Sequence, residues 1–301
     1  MVKDNYSIAQ TKKSQKNRNA VVLVILLMLA TYIPQNLIAS IFISKLGQVS
    51  DSLYGDRLIL TMLYSTILIS ILVYLIARYY LNRNAESLGL KNLNRFCGYI
   101  KGAVIGLSMI TGTFLLAKAF GIADAKLNLE NINPLVFLAF FIGWVFQGFE
   151  EEFLCRSVLM NYFAATNGLV SAIVSNSLIF AIMHMGNSGF GLLPFLNIFL
   201  MGLIFSLLFF ISDDIFLPAA AHSFWNFAQA NIYGINVSGI SKSTTSIIQT
   251  KLAGSTFLTG GDFGIEGGLM TFIVEVLVVL ILIYWIRVKR EYRPAYKNSP
   301  A

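Results

Sequence analysis

The residues QGFEEEFLCRS at 147–157 lie between two runs that read as membrane-buried helix, PLVFLAFFIGWVF before and VLMNYFAATN after. Ionisable groups are costly in such surroundings, so each calls for a partner or a task. On a helix Glu152 and Arg156 stand at i and i+4, share a face and can pair. Glu151 points about 100° away, and nothing nearby in sequence satisfies it. Glu150 has no such assignment and reads as facing water. The chain has two histidines, both in apolar segments: FAIMH ends on His184 with Phe180 one turn before it, and HSFWN places Asn226 at i+4 from His222. A carboxylate beside an imidazole can take a proton from water. A second imidazole with an amide can donate hydrogen bonds to a developing oxyanion. The inventory fits peptide-bond hydrolysis without a covalent intermediate, and no G-x-S-x-G elbow offers a serine nucleophile. A Glu–Arg pair stapling helices together is the plain structural alternative for Glu152 and Arg156.

For these groups to meet, the chain must form a bundle. Of its 301 residues 56% are hydrophobic and only 12% charged, with a mean hydropathy of +0.70, about half the usual charge fraction. Hydrophobic segments lie near 20–44, 58–81, 99–121, 134–163, 168–185, 191–212, 215–232 and 267–287. The pattern predicts an all-α polytopic membrane helix bundle of about eight transmembrane helices. The fourth segment would be about 45 Å long as one helix, beyond a hydrocarbon core of about 30 Å. It is expected to tilt, to break near Gly148 or to project from the membrane. Residues 233–265 are rich in Gly, Ser and Thr and read as an aqueous loop. The organisation expected is a basic tail over 1–19, N-terminal spans over 20–130 and a core carrying the chemistry over 134–230. An aqueous loop over 231–266 and a last span with a basic tail over 267–301 complete it.

Basic residues flank the spans: Lys3, Lys12, Lys13, Lys16 and Arg18; Arg83, Lys91, Arg95 and Lys101; Arg287, Lys289, Arg290, Arg293 and Lys297. By the positive-inside rule both termini are expected on the cytoplasmic side of an integral protein of the cell membrane. The net charge of +7 is accounted for this way, and no nucleic-acid partner is expected. The first apolar run is too long for a signal peptide and reads as a retained span. Cys97 and Cys155 suggest neither a disulfide framework nor a metal cluster, and Cys155 reads as packing.

EEFLCR (Glu151 to Arg156), FAIMH (Phe180 to His184) and HSFWN (His222 to Asn226) resemble, in order, the EExxxR, FxxxH and HxxxN/B motifs of the CAAX-protease and bacteriocin-processing family of intramembrane glutamic endopeptidases. ESLGLKNL at 86–93 resembles a stretch often found upstream in that family. The resemblance covers residues 134–230. It implies an eight-helix membrane protease in which Glu151 and His184 activate water and His222 with Asn226 forms the oxyanion hole. Glu152, Arg156 and Phe180 would support the site. Where family members commonly have an aromatic residue and a glycine around the arginine, this chain has Cys155 and Ser157. The resemblance implies metal-free catalysis and no cofactor, while Glu151, His184 and His222 also suit a three-ligand zinc site. Peptide or lipidated-protein substrates, membrane lipids and a membrane-protein partner are the expected contacts. Prenylated CAAX peptides, bacteriocin leaders and signalling pro-peptides all remain open as substrates.

Rival readings are a proton relay or transporter, which would show internal repeats that are not found, and a non-catalytic immunity or regulatory protein on the same fold. Glu275, in the last span, receives no role. Lys118 is expected to snorkel to the interface, and Asp213 with Asp214 reads as a solvated turn.

Overall fold

A computed structural model describes residues 5–46, 54–90 and 95–291. Lys3, Lys91, Arg293 and Lys297 lie outside the described residues, as do the side chains of Lys289 and Arg290. The architecture is an all-α membrane bundle. Its helices are α1 (Tyr6–Ser14), α2 (Ala20–Leu46), α3 (Tyr54–Leu75, continued by a π turn to Tyr80) and α4 (Arg95–Ala119). Then follow α5 (Pro134–Glu152), a π-helical stretch Phe153–Met160, α6 (Asn161–Asn167), α7 (Leu169–Met183) and α8 (Leu192–Ser212). The chain ends with α9 (Phe216–Phe227, continued by a π turn to Ile232), the short α10 (Thr256–Thr259) and α11 (Leu269–Glu291). Six of these units are long and apolar enough to cross a membrane. The fifth and seventh hydrophobic segments make shorter helices. At 1.5 Å per residue α7 is only about 22 Å long, and His184 is its C-cap.

The fourth segment does not break at Gly148. It runs as one helical unit over 134–167, about 50 Å, and stops at Gly168, whose φ of 87° suits a residue without a Cβ. Gly148 has a different purpose. A Cβ there would lie 2.4 Å from Ser223 Oγ and 2.7 Å from the Ser223 nitrogen, so its absence lets α5 and α9 touch backbone to side chain. Trp144 Nε1 donates to Asn231 Oδ1 (3.0 Å) and Asn226 Nδ2 donates to Gln147 Oε1 (2.9 Å). These pairs descend one helix as they ascend the other, so α5 and α9 are antiparallel. On the other side of α9, Gly102 and Gly106 of α4 meet the carbonyls of Leu217 and Ala221 in parallel order. Alpha-9, the bearer of His222 and Asn226, is thereby clamped between α4 and α5.

The residues 233–265 are more ordered than a plain loop. They contain strand β2 (Ile248–Leu252), which pairs antiparallel with β1 (Ala123–Leu127) from the α4–α5 connection, with Ala123 opposite Leu252. The N-terminal basic segment likewise contains α1, whose Ser7 N donates to Asp213 (3.1 and 3.2 Å to its two oxygens). Asp214 is buried and its Oδ1 accepts from Phe216 N at 3.0 Å, so the 213–214 turn is a packed cap and not a solvated one. Arg83 is also buried. Its guanidinium donates to Ser87, Gln15 Oε1 (3.2 Å) and the Ser157 carbonyl (3.0 Å). Burial lowers its pKa to about 9. Lys118 is exposed near the end of α4.

Candidate active site

Where α5 passes into the π-helical stretch, three glutamates in succession take three environments. Glu152 is fully buried and its Oε1 receives both Arg156 Nη1 (3.0 Å) and His222 Nδ1 (2.9 Å). Arg156 spends its other amine on the Gly202 carbonyl (3.1 Å) and lies over the rings of Phe180 (4.6 Å) and Phe205 (5.4 Å). An arginine held by a carboxylate, a carbonyl and two aromatic faces has little freedom. The i,i+4 pairing expected from sequence is present across the change from α to π winding.

Glu151 is the partly exposed member, with 22% of its side chain accessible. It is not without a neighbour: Gln147, one turn earlier, donates from Nε2 to Glu151 Oε1 at 2.6 Å. Its Oε2 is itself buried although the side chain is partly exposed; it accepts no hydrogen bond among the described residues and stands 3.8 Å from His222 Nε2, too far for a direct bond. Glu150 is buried, with Oε1 unpartnered among the described residues, and does not face water. From sequence Glu150 reads as facing water and Glu151 as unsatisfied, because helical spacing alone does not tell which neighbours α5 meets.

The imidazole beside Glu151 is that of His222, which the resemblance assigns to the oxyanion hole. It stacks on Phe205 (4.9 Å between centroids, 18° between planes). His184 caps α7, with Nδ1 2.8 Å from the Phe180 carbonyl. In the tautomer that donates there, Nε2 is left as an acceptor. Phe180 meets both histidines edge-on, at 4.9 Å from His184 and 6.1 Å from His222, so the FxxxH phenylalanine is the spacer between the two imidazoles. Asn226 joins the group through Gln147. Among the described residues no three His, Cys, Asp or Glu side chains are grouped as a metal ion requires.

Three groups near this network were not singled out as site residues in the sequence. Gln147 was detectable by its i,i+4 spacing to Glu151; Phe205 carried no signal. Glu266, between α10 and α11, was hidden in the loop. It is buried, accepts from Trp225 Nε1 (3.2 Å) and from the hydroxyl (2.7 Å) and nitrogen of Ser238, and interacts electrostatically with His184. Burial raises its pKa above the ordinary carboxylate value. Glu275 is buried in α11 with Oε2 unpartnered among the described residues. Cys155 is buried, in keeping with a packing role.

Residues 133–228 match the family model described as Type II CAAX prenyl endopeptidase Rce1-like. The match spans α5 to the start of the π turn after α9 and includes all three motifs. It agrees with the resemblance to the CAAX-protease and bacteriocin-processing family, and at family level it is to a CAAX-type intramembrane protease acting on protein or peptide substrates. No curated protein matches the chain.

Proposed function

We propose that this protein hydrolyses a peptide bond in a membrane-associated substrate, with water activated by Glu151. The observation that supports the reading best is the fixed chain Arg156–Glu152–His222 ending 3.8 Å from the partly exposed Glu151. Glu152 is neutralised and buried, and Glu151 keeps a free oxygen. That division gives one carboxylate a holding task and the other a chemical one.

In the proposed reaction a water touching Glu151 Oε2 gives its proton to that carboxylate, with His184 Nε2 as a further acceptor. The water oxygen bonds to the scissile carbonyl carbon, and the carbonyl oxygen takes the negative charge. His222 donates from Nδ1 to Glu152 and from Nε2 to that oxygen, joined by an Asn226 N–H. Collapse breaks the C–N bond, and Glu151 returns the proton to the leaving amine. Both termini are placed on the cytoplasmic side of the cell membrane, following the basic residues.

The test compares peptide termini in cells making the wild-type chain, Glu151→Gln or His184→Ala at matched levels. The proposal expects a common set of termini to vanish in both variants. If both variants are present and folded and no terminus changes, the protein is a binding or regulatory member of the fold and not a hydrolase.

A further inference from the structure

We infer that Gln147 is a positioning residue that ties the orientation of the Asn226 amide to the Glu151 carboxylate. The inference rests on the hydrolase reading for its purpose, but its physical content is independent of it. Gln147 stands one turn before Glu151 on α5 and faces Asn226 across the α5–α9 contact. Its Nε2 donates to Glu151 Oε1 at 2.6 Å, and its Oε1 accepts from Asn226 Nδ2 at 2.9 Å.

The direction of this relay is dictated by chemistry. An ionised carboxylate only accepts, so the Gln147 amide must present its nitrogen to Glu151. Its oxygen is then turned to α9, and the Asn226 amide must in turn present its nitrogen. One N–H of Asn226 is thereby committed to Gln147 and the second remains for a substrate oxygen. Without Gln147 nothing described on α5 would choose between the two orientations of Asn226, and in one of them a carbonyl would meet the developing oxyanion. The two helices are held close enough for the relay by Gly148, the next residue along, against Ser223. Both ends of the relay are fixed by neighbouring contacts: Trp144 to Asn231 one turn away on the same pair of helices, and Ser223 Oγ to the Ala219 carbonyl at 2.7 Å.

The test uses the full-length protein in lipid nanodiscs, with the side-chain amides of glutamine and asparagine labelled with ¹⁵N and the Gln147 and Asn226 signals assigned by substitution. Removing the acceptor, Glu151→Ala, is expected to displace both signals, because the relay transmits the change from one amide to the other. An Asn226 signal that stays in place overturns the inference. A kinetic arm uses a pool of decapeptides, half of them carrying a farnesylated cysteine. Gln147→Leu is expected to lower kcat by about 10–100-fold with KM unchanged, the size expected for a misplaced group. Gln147→Leu combined with Asn226→Ala is expected to cost no more than the larger single change; fully additive losses overturn the coupling. If the signals move together but the wild-type protein cleaves nothing in the pool, the relay stands and the hydrolase reading falls. If the pool is cleaved and the signals are independent, the reverse holds.

Discussion

His222 hangs between two carboxylates in unequal fashion: Nδ1 is 2.9 Å from Glu152 Oε1, whereas Nε2 is 3.8 Å from Glu151 Oε2. One contact is a hydrogen bond and the other leaves its two atoms free to share a third partner. The adjacent glutamates of a single motif thus have separable physical tasks, and substitutions at the two positions should report on different properties.

Glu152→Ala removes the counter-charge of a fully buried arginine and one anchor of His222. An uncompensated buried charge costs about 3–5 kcal/mol, so thermal unfolding in detergent should show a large loss of stability. Glu151→Gln retains an oxygen to accept from Gln147, and its unfolding should lie within about 1 kcal/mol of wild type. Equal losses at the two positions would contradict the division.

Gly148→Ala inserts a methyl group where the Ser223 oxygen and nitrogen already stand at 2.4 and 2.7 Å. Forcing α5 away from α9 should cost about 1–3 kcal/mol and pull Gln147 from Asn226. A Gly112→Ala control, in α4 with nothing within 4 Å of its Cβ, should not destabilise the fold, since alanine is the better helix former.

Glu266 links the segment before α11 to α9 and to Ser238, and burial raises its pKa. The folded state therefore binds the proton more tightly than the unfolded chain. The resulting stabilisation is complete below the unfolded value and is lost as pH rises through the raised folded value. Hydrogen exchange at 237–240 and 265–268, corrected for intrinsic rates, should show protection that falls across that window and a flat profile in Glu266→Gln. Protection that increases with pH would contradict the assignment.

Metal dependence separates the two readings of the Glu and His set. Cleavage should survive treatment with a chelator, and the purified protein should carry no stoichiometric zinc by elemental analysis. Loss of activity on chelation, restored by zinc alone, would contradict metal-free water activation.

The positions of the helices were legible because a bilayer demands long apolar runs, and each hydrophobic segment became a helix within a few residues of its predicted ends. Glu152 and Arg156 met as their spacing required. What periodicity could not convey was which faces touch. Gly148 looked like a break because glycine is a poor helix former; its value lies in the close approach of α9, a tertiary fact. Glu150 and Asp214 looked solvated and Arg83 looked like a topological charge because their partners come from distant segments. The strands ADAKL and IQTKL are each five residues long and lie in connections about 120 residues apart, so neither carries enough alternation to announce the other. The π-helical winding after Glu152 likewise leaves no mark in composition.

The central claim is that Glu151 draws a proton from the water that attacks the substrate. The most direct measurement incubates the purified protein in liposomes with the farnesylated and plain decapeptide pool in ¹⁸O-labelled water and reads new carboxyl termini by mass spectrometry. The account predicts labelled termini from the wild-type protein and none from Glu151→Gln of matched folding. Labelled termini from that variant at the wild-type rate would contradict it.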